Sequence, residues 1–339
     1  MRQLKIKNIN RMNRAILVII LEICILGILS AQDYYFSQFY SSPLTLNPAM
    51  TGLFNGDYRV VTNYRNQNEA LTPFNTYSAS FDTKILQKIL EQDVFSVGLV
   101  LVQDELLNKS VSNTVLMFST AYHDRIGEND YLAAGLQGGL YQTYVNMYAF
   151  TYPQQWDPIT GEASLPITEQ FQNTNIDLFD MNIGLIWYHY MGKSSSIFLG
   201  GAIFHVAQPE TKYLNTNGYL SRRYVFHGGA HAALNDKISL VPIFVVEYQN
   251  KANQVIIGTT VEYRSNNNAF KFGGWYKCSG MYTFYLGMEF KGVELGASYD
   301  FVSSSDYLGN NIGGVEISLI FTSFYKKSAK LKSNPGNRF

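Results

Sequence analysis

The residues of this chain with the chemistry to act on a substrate are few and scattered. Its five histidines are His123, His189, His205, His227 and His231. His227 and His231 stand four apart, a metal-ligand spacing on a helix. On a strand the same spacing sets two side chains on one face but roughly 13 Å apart, too far for one ion. Gly192-Lys193-Ser194 has the ending of a phosphate-binding loop, but Trp187 stands where its first glycine belongs, so the backbone cradle is missing. No serine sits in a Gly-x-Ser-x-Gly setting, and Cys278 has no histidine motif beside it. The acids Glu262, Glu289, Glu294, Asp300 and Glu316 recur toward the C-terminal end, near Arg264 and Lys271. A paired-carboxylate hydrolase needs two acids in one substrate cleft, and nothing in this spacing puts two there. The acids read instead as a polar network on an inner surface, either structural pairing or a cation filter, with pairing the favoured reading. No catalytic residue, metal site or cofactor is expected.

The elements that carry these residues follow from composition and alternation. Lys+Arg and Asp+Glu are equal at 26 each, so the net charge is zero. A nucleic-acid binder needs a basic stripe to displace counterions, and none is expected here. Charged residues make up only 15 % of the chain, against about 25 % in ordinary soluble domains. Aromatics also reach 15 %, with 25 Tyr and 22 Phe, yet the mean hydropathy is only −0.08. Half-apolar strands with aromatic belts have this composition. A large soluble β-sandwich is the competing reading.

Residues 1–31 have the pattern of a secretory signal. Lys5, Lys7, Arg11 and Arg14 precede an apolar stretch from Ala15 to Leu29, interrupted by Glu22 and followed by the small pair Ser30-Ala31. Glu22 and Ile23 stand before Cys24 where a lipidation site has small residues. The apolar stretch is short for a retained anchor helix, which takes about 20 residues. Removal of the leader leaves Cys278 as the mature chain's sole cysteine, so no disulfide is expected within it.

The rest alternates with period two. Tyr282, Phe284, Leu286, Met288 and Phe290 share one face, opposite Thr283, Tyr285, Gly287 and Glu289. Val293, Leu295, Ala297, Tyr299 and Phe301 oppose Glu294, Gly296, Ser298 and Asp300 in the next run, and Val315, Ile317, Leu319 and Phe321 oppose Gly314, Glu316 and Ser318 in the last. Such alternation is the lipid-out, lumen-in signature of a transmembrane barrel. It predicts fourteen strands near 57–65, 74–83, 93–103, 112–124, 129–142, 181–191, 195–206, 223–234, 237–248, 254–264, 268–276, 280–290, 292–301 and 313–323. Tight connections alternate with longer ones at 66–73, 104–111, 143–180, 207–222 and 302–312. Short turns on one rim and long loops on the other define an outer-membrane β-barrel, with the long loops outside. The connection from Thr83 to Glu91 has helical spacing of Ile85, Leu86, Ile89 and Leu90 and is expected as a short amphipathic helix on the periplasmic rim. The 143–180 loop either enters the lumen, covers the mouth or lies free. Residues 324–339 read as a basic periplasmic tail, and the barrel itself as 57–323.

Between leader and barrel, residues 32–56 do not read as a strand. Pro43 and Pro48 cannot donate ladder bonds, and Asn47-Pro48 favours a turn. Phe36, Phe39, Tyr40 and Leu44 still require burial, so this turn-rich segment is expected to pack on or in the barrel. Its sequence includes Phe36-Ser37-Gln38-Phe39-Tyr40, then Pro43-Leu44-Thr45-Leu46-Asn47-Pro48-Ala49, then Gly52. That run closely resembles the opening of the PorP/SprF family of type IX secretion system membrane proteins. The resemblance continues through Arg59, Tyr64-Arg65-Asn66-Gln67, Pro73-Phe74, Tyr77, Ser78 and Asp82, and more weakly to the end of the chain. It departs at Asn68, where the family usually has Trp, and at Tyr34, where it often has Pro.

The resemblance implies an outer-membrane component of type IX protein secretion and, in some members, gliding motility. Its partners would be the secretion machinery and a dedicated large secreted surface protein, with outer-membrane lipid around the barrel and no enzymatic activity. Phe36, Ser37, Gln38, Phe39, Tyr40, Pro43, Leu46, Asn47, Pro48, Ala49, Gly52, Tyr64 and Arg65 are the motif residues expected to serve structure or partner binding. Glu262, Arg264, Glu289, Glu294, Asp300 and Glu316 are the expected polar cluster of the lumen. The main competing function is a passive porin or hydrophobic-solute channel.

Overall fold

The computed structural model describes residues 33–323, apart from 70–71, 87–92, 108, 158, 164–165, 167–173, 193, 214–215, 266–267 and 303–312. The expected leader and basic tail lie outside the described residues. Seven strands form the first part of the wall: β1 (Tyr58–Glu69), β2 (Thr72–Ile85), β3 (Val94–Leu106), β4 (Val111–Asp124), β5 (Asp130–Val145), β6 (Thr174–Met191) and β7 (Ser195–Phe204). A small hairpin, β8 (Glu210–Tyr213) and β9 (Thr216–Tyr219), stands apart from the wall. Seven more strands complete the wall: β10 (Arg223–Ala233), β11 (Ile238–Gln249), β12 (Ala252–Ser265), β13 (Asn268–Lys277), β14 (Met281–Phe290), β15 (Val293–Val302) and β16 (Gly314–Ser323). β16 pairs antiparallel with β1 from Tyr58↔Ser323 to Gln67↔Gly314, so the fourteen-stranded sheet closes and leaves no edge. In a membrane that closure satisfies every strand's backbone groups.

Period two decides which face is which. Phe284 is 61 % exposed and Leu286 59 %, while inward Asp300 and Glu316 are 1 % and 0 % exposed. Outward aromatics form cross-strand pairs toward the ends of the strands. Tyr64–Tyr77, Tyr224–Tyr248 and Tyr276–Tyr282 lie toward one rim, and Tyr58 with Phe81 and Phe321 toward the other. These belts are where a barrel meets the two membrane–water interfaces.

Each expected strand is present, but several run further than their apolar alternation. β1 and β2 shrink the loop expected at 66–73 to residues 70–71, and β3 and β4 reduce 104–111 to 107–110. β6 begins at Thr174, so the longest connection is 146–173 rather than 143–180. Backbone pairing continues past the lipid band, where the outward face no longer needs to be apolar. The remaining long connections are 146–173, 205–222 with its hairpin, and 303–313. All three lie on the same rim. In the first, Trp156 bridges to Ala163, and Tyr148, Trp156 and Ile159 are exposed. The expected helix at Thr83 to Glu91 is not borne out at its start. Thr83, Lys84 and Ile85 extend β2, and residues 87–92 lie outside the described residues.

Candidate functional site

The segment 33–57 fills the lumen. Two interior clusters form around it, one on Phe39, Leu46, Ala49, Met50 and Leu53, the other on Tyr34, Phe36 and Leu44. The first takes its wall from β5–β7 and β10–β14, the second from β3–β5. A barrel of eight strands is filled by its own side chains, and one of sixteen or more leaves an aqueous channel. Fourteen strands leave room in between, and the N-terminal segment occupies it.

At the long-loop rim the segment is tied by charge. His205, the first residue past β7, has φ 55°, a left-handed turn that ends the strand. Its Nδ1 faces Asp180 Oδ2 at 2.7 Å and its Nε2 faces Asp33 Oδ2 at 2.5 Å. With a carboxylate at each nitrogen the ring donates from both and is an imidazolium. Burial opposes that charge, but Asp33 and Asp180 outweigh it and push the His205 pKa up to about 9. Burial likewise raises Asp33, yet His205, Arg223 and Gln249 together hold its pKa below the usual carboxylate value. Arg223, on β10, donates to the carbonyls of Tyr34 and Thr45 and lies over the Phe204 ring at 4.1 Å.

The next anchor gathers motif residues and two of the six residues of the expected lumen cluster, Asp300 and Glu316. Glu316 Oε2 and Oε1 accept the backbone N–H groups of Ser37 (2.6 Å) and Gln38 (3.0 Å). Arg65 reaches Glu316 at 3.2 Å and Asp300 at 2.7 Å, and also donates to Ser37 Oγ. Ser37 Oγ donates to Asp300, and the Gln38 amide bridges Ser298 and Ser318. Tyr35 lies beneath both Arg65 (5.1 Å) and Lys277 (4.3 Å). Phe39 meets the edge of Trp275, and Tyr40 that of Phe198.

Midway down, the chain makes one helical turn, α1 (Pro43–Leu46), begun by Pro43 at a position where its missing N–H costs nothing. Asn47 then caps the 3-10 turn Pro48–Met50, its Oδ1 accepting Ala49 N–H at 2.9 Å. The Asn47 amide nitrogen donates to Leu185 O at 3.0 Å, with Gly201 O at 3.3 Å, and meets His227 Nε2 at 3.0 Å. That ring nitrogen accepts, so His227 is neutral there. Three glycines make the floor beneath this turn. A Cβ at Gly135 would stand 2.3 Å from Ala49 N, at Gly184 2.0 Å from Asn47 Oδ1, and at Gly200 3.0 Å from Asn47 Nδ2. Gly135 and Gly184 are direct partners across β5 and β6.

At the short-turn rim, Asp82 accepts two bonds from Arg59 (2.9 and 2.7 Å) and one from Gly52 N–H (2.7 Å). Arg59 also donates to Met50 O and Leu53 O, and Lys84 to Phe54 O. Thr51 bonds Ser119 through its hydroxyl and His123 through its carbonyl. Asp57 N–H then joins Ser323 O, where β1 begins.

The motif residues Phe36 to Gly52 thus come together inside the barrel, with Arg65 beside them. Tyr64 does not join them: it is 37 % exposed on the outer face, bonded to Asn75, because adjacent strand residues face opposite ways. The expected lumen cluster divides in two. Asp300 and Glu316 belong to the motif anchor, while Glu262, Glu289 and Glu294 pair with Arg264 and Lys271 near the short-turn rim. Asp33, Arg59, Asp82, Gly135, Asp180, Gly184, His205, Arg223 and His227 also build the site, and no sequence expectation assigns them a part in it. The signals available in sequence were the resemblance, which runs through Arg59 and Asp82, and for the strand residues parity: a charged or glycine residue on the inward face of a long strand.

The arrangement holds a peptide segment by hydrogen bonds, ion pairs and ring contacts. Among the described residues no group of three His, Cys, Asp or Glu could hold a metal ion. A closed antiparallel barrel, apolar outside and filled by its own N-terminal segment, is an integral outer-membrane protein. Residues 28–321 match the family described as type IX secretion system membrane protein PorP/SprF, and the chain belongs to that family. No curated protein is similar enough to count as a match. Among solved structures, a Pseudomonas aeruginosa FadL homologue is 10 % identical with TM-score 0.49, over 81 % of this chain and 92 % of that one. The monoaromatic hydrocarbon channel CymD is 12 % identical with TM-score 0.47, over 88 % and 95 %. The translocator domain of autotransporter NalP from Neisseria meningitidis is 10 % identical with TM-score 0.42, over 83 % and 94 %.

Proposed function

We propose that this barrel serves type IX secretion as an adaptor, helping to export or anchor one dedicated, adhesin-like secreted protein at the cell surface. The observation that carries this reading is the filled lumen. Residues 33–57 are bonded to the wall at both rims and at mid-height. A polypeptide or a solute moving through the barrel would have to displace them. A filled barrel suits holding a partner at its mouth better than conducting. The motif residues then have a structural role, fixing the plug, and the reading needs no chemical step.

Deleting the gene should abolish surface display of its secreted partner, detected by antibody on intact cells, with the wild-type gene restoring it. In a gliding species, movement that depends on that partner should fail as well. Undiminished display of every type IX surface protein in the deletion strain would overturn the reading. The passive-channel reading requires an open lumen, which the buried anchors of Ser37, Asn47 and Gly52 oppose.

A further inference from the structure

The direction in which the plug runs carries a consequence for the mature N-terminus. Asp57 N–H bonds Ser323 O, the last residue of β16, at the short-turn rim. Moving back along the chain, Gly52 bonds Asp82 and Thr51 bonds Ser119. Asn47 meets His227 at mid-barrel. Ser37 and Gln38 reach Glu316 and Asp300, two residues from the opposite ends of β16 and β15. Asp33 ends the series. Its N–H donates to Gln249, the last residue of β11, and its carboxylate meets His205, just past β7, and Arg223, the first residue of β10. All three belong to the rim that carries the 146–173, 205–222 and 303–313 connections. The segment therefore runs from the short-turn rim at Asp57 to the long-loop rim at Asp33, with one local turn that brings Thr45 O beside Tyr34 O on Arg223.

Long loops mark the extracellular rim of an outer-membrane barrel. We infer that the mature chain begins on the extracellular side, at the mouth of the barrel, so that its first residues form part of the surface offered to a partner outside the cell. The inference deepens the adaptor reading and rests on it for the existence of that partner; the topology stands without it. A plug entering from the periplasm with its N-terminus below would place Asp33 near Arg59, and it does not.

The test is an epitope inserted directly after Ala31 in the full precursor, with antibody labelling of intact cells. The same epitope beside Ile159 reports the long-loop rim, and beside Asp236 the short-turn rim. The N-terminal and Ile159 insertions should label intact cells, and the Asp236 insertion only after the outer membrane is permeabilised. Heat-modifiable gel migration in each sample shows that the barrel is folded. Where the tagged chain fails to fold, an untagged Gln32→Ala chain replaces it. A membrane-impermeant amine reagent should then modify its N-terminal peptide on intact cells, read by mass spectrometry. Labelling of Ile159 without labelling of the N-terminus would overturn the inference, as would labelling of Asp236 on intact cells. Failure of partner display in the deletion strain is scored separately and bears only on the adaptor role.

Discussion

Arg65 is fully buried between two carboxylates, Asp300 and Glu316, which are themselves almost fully buried. One cation between two anions leaves a formal excess of negative charge, offset by the N–H groups of Ser37 and Gln38 and by the hydroxyl of Thr283. Removing the cation strands both carboxylates, a change that costs about 3 kcal/mol or more in buried pairs. Arg65→Gln should therefore lower the unfolding free energy by about that amount, measured by urea titration of the barrel in lipid vesicles. Paired with Asp300→Asn it should cost less than the sum of the two single changes, since both act on one network. His205 adds a pH dependence. Its folded pKa is raised to about 9, so its contribution is complete below the unfolded value of roughly 6.5 and is lost as pH rises through about 9. Asp33 is lowered, so its contribution is present above roughly pH 4 and lost as pH falls. The groups facing His205 are Asp33 and Asp180 and the ring of Tyr141, with Arg223 near Asp33 at 3.7 Å. The N-terminal latch should thus hold best between about pH 5 and 7. Raising the pH to 10 should make residues 33–36 sensitive to added protease, and His205→Gln should make them sensitive at both pH values.

At the scale of elements, β5, β6 and β7 are distinguished by what they lack. Gly135, Gly184 and Gly200 leave a flat patch of wall on which Asn47-Pro48-Ala49 lies. Gly135→Ala would drive a methyl group to 2.3 Å from the backbone of Pro48 and Ala49, which no side-chain rotation relieves. The barrel should still form, because its ladder is unaffected. The plug should lift, seen as faster hydrogen exchange at residues 47–52 while the β5 amides stay protected. Outward-facing Leu136→Ala is the control and should leave the plug in place. These elements were partly legible beforehand. Strands are written locally, one residue in and one out, so all fourteen could be found from alternation alone. Their ends could not, because beyond the lipid band the outer face need not be apolar. Nor could the fate of Tyr64 and Arg65 be separated by resemblance, since the motif lists them as neighbours and only the pleat sends them to opposite faces. The split of the acidic cluster was likewise hidden: Asp300 and Glu316 differ from Glu289 and Glu294 in height along the barrel, which depends on strand register.

The whole molecule is a membrane wall and a peptide that closes it. The wall alone would enclose a lumen lined by both apolar and polar side chains. Its inward residues include Asn63, Thr76, Asp104 and Gln254, all polar and buried. The plug residues Phe36, Leu44, Leu46 and Ala49 are themselves nearly completely buried. The plug shares its last bonds with β1, β2 and β16, so it is rooted in the barrel seam at the short-turn rim. Cutting it at the root would endanger the barrel seam, where Asp57 meets Ser323. Removing residues 33–46 would leave the root intact and clear the outer half of the lumen, including both motif phenylalanines and α1. The mature wild-type barrel in a planar lipid bilayer should show no stable conducting steps. The chain lacking residues 33–46, shown to be folded by heat-modifiable migration, should open steps whose size falls when a polymer too large for the lumen is replaced by one that enters it. Steady conductance from the wild type would mean that ions pass around the plug, and would return the protein to the passive-channel class.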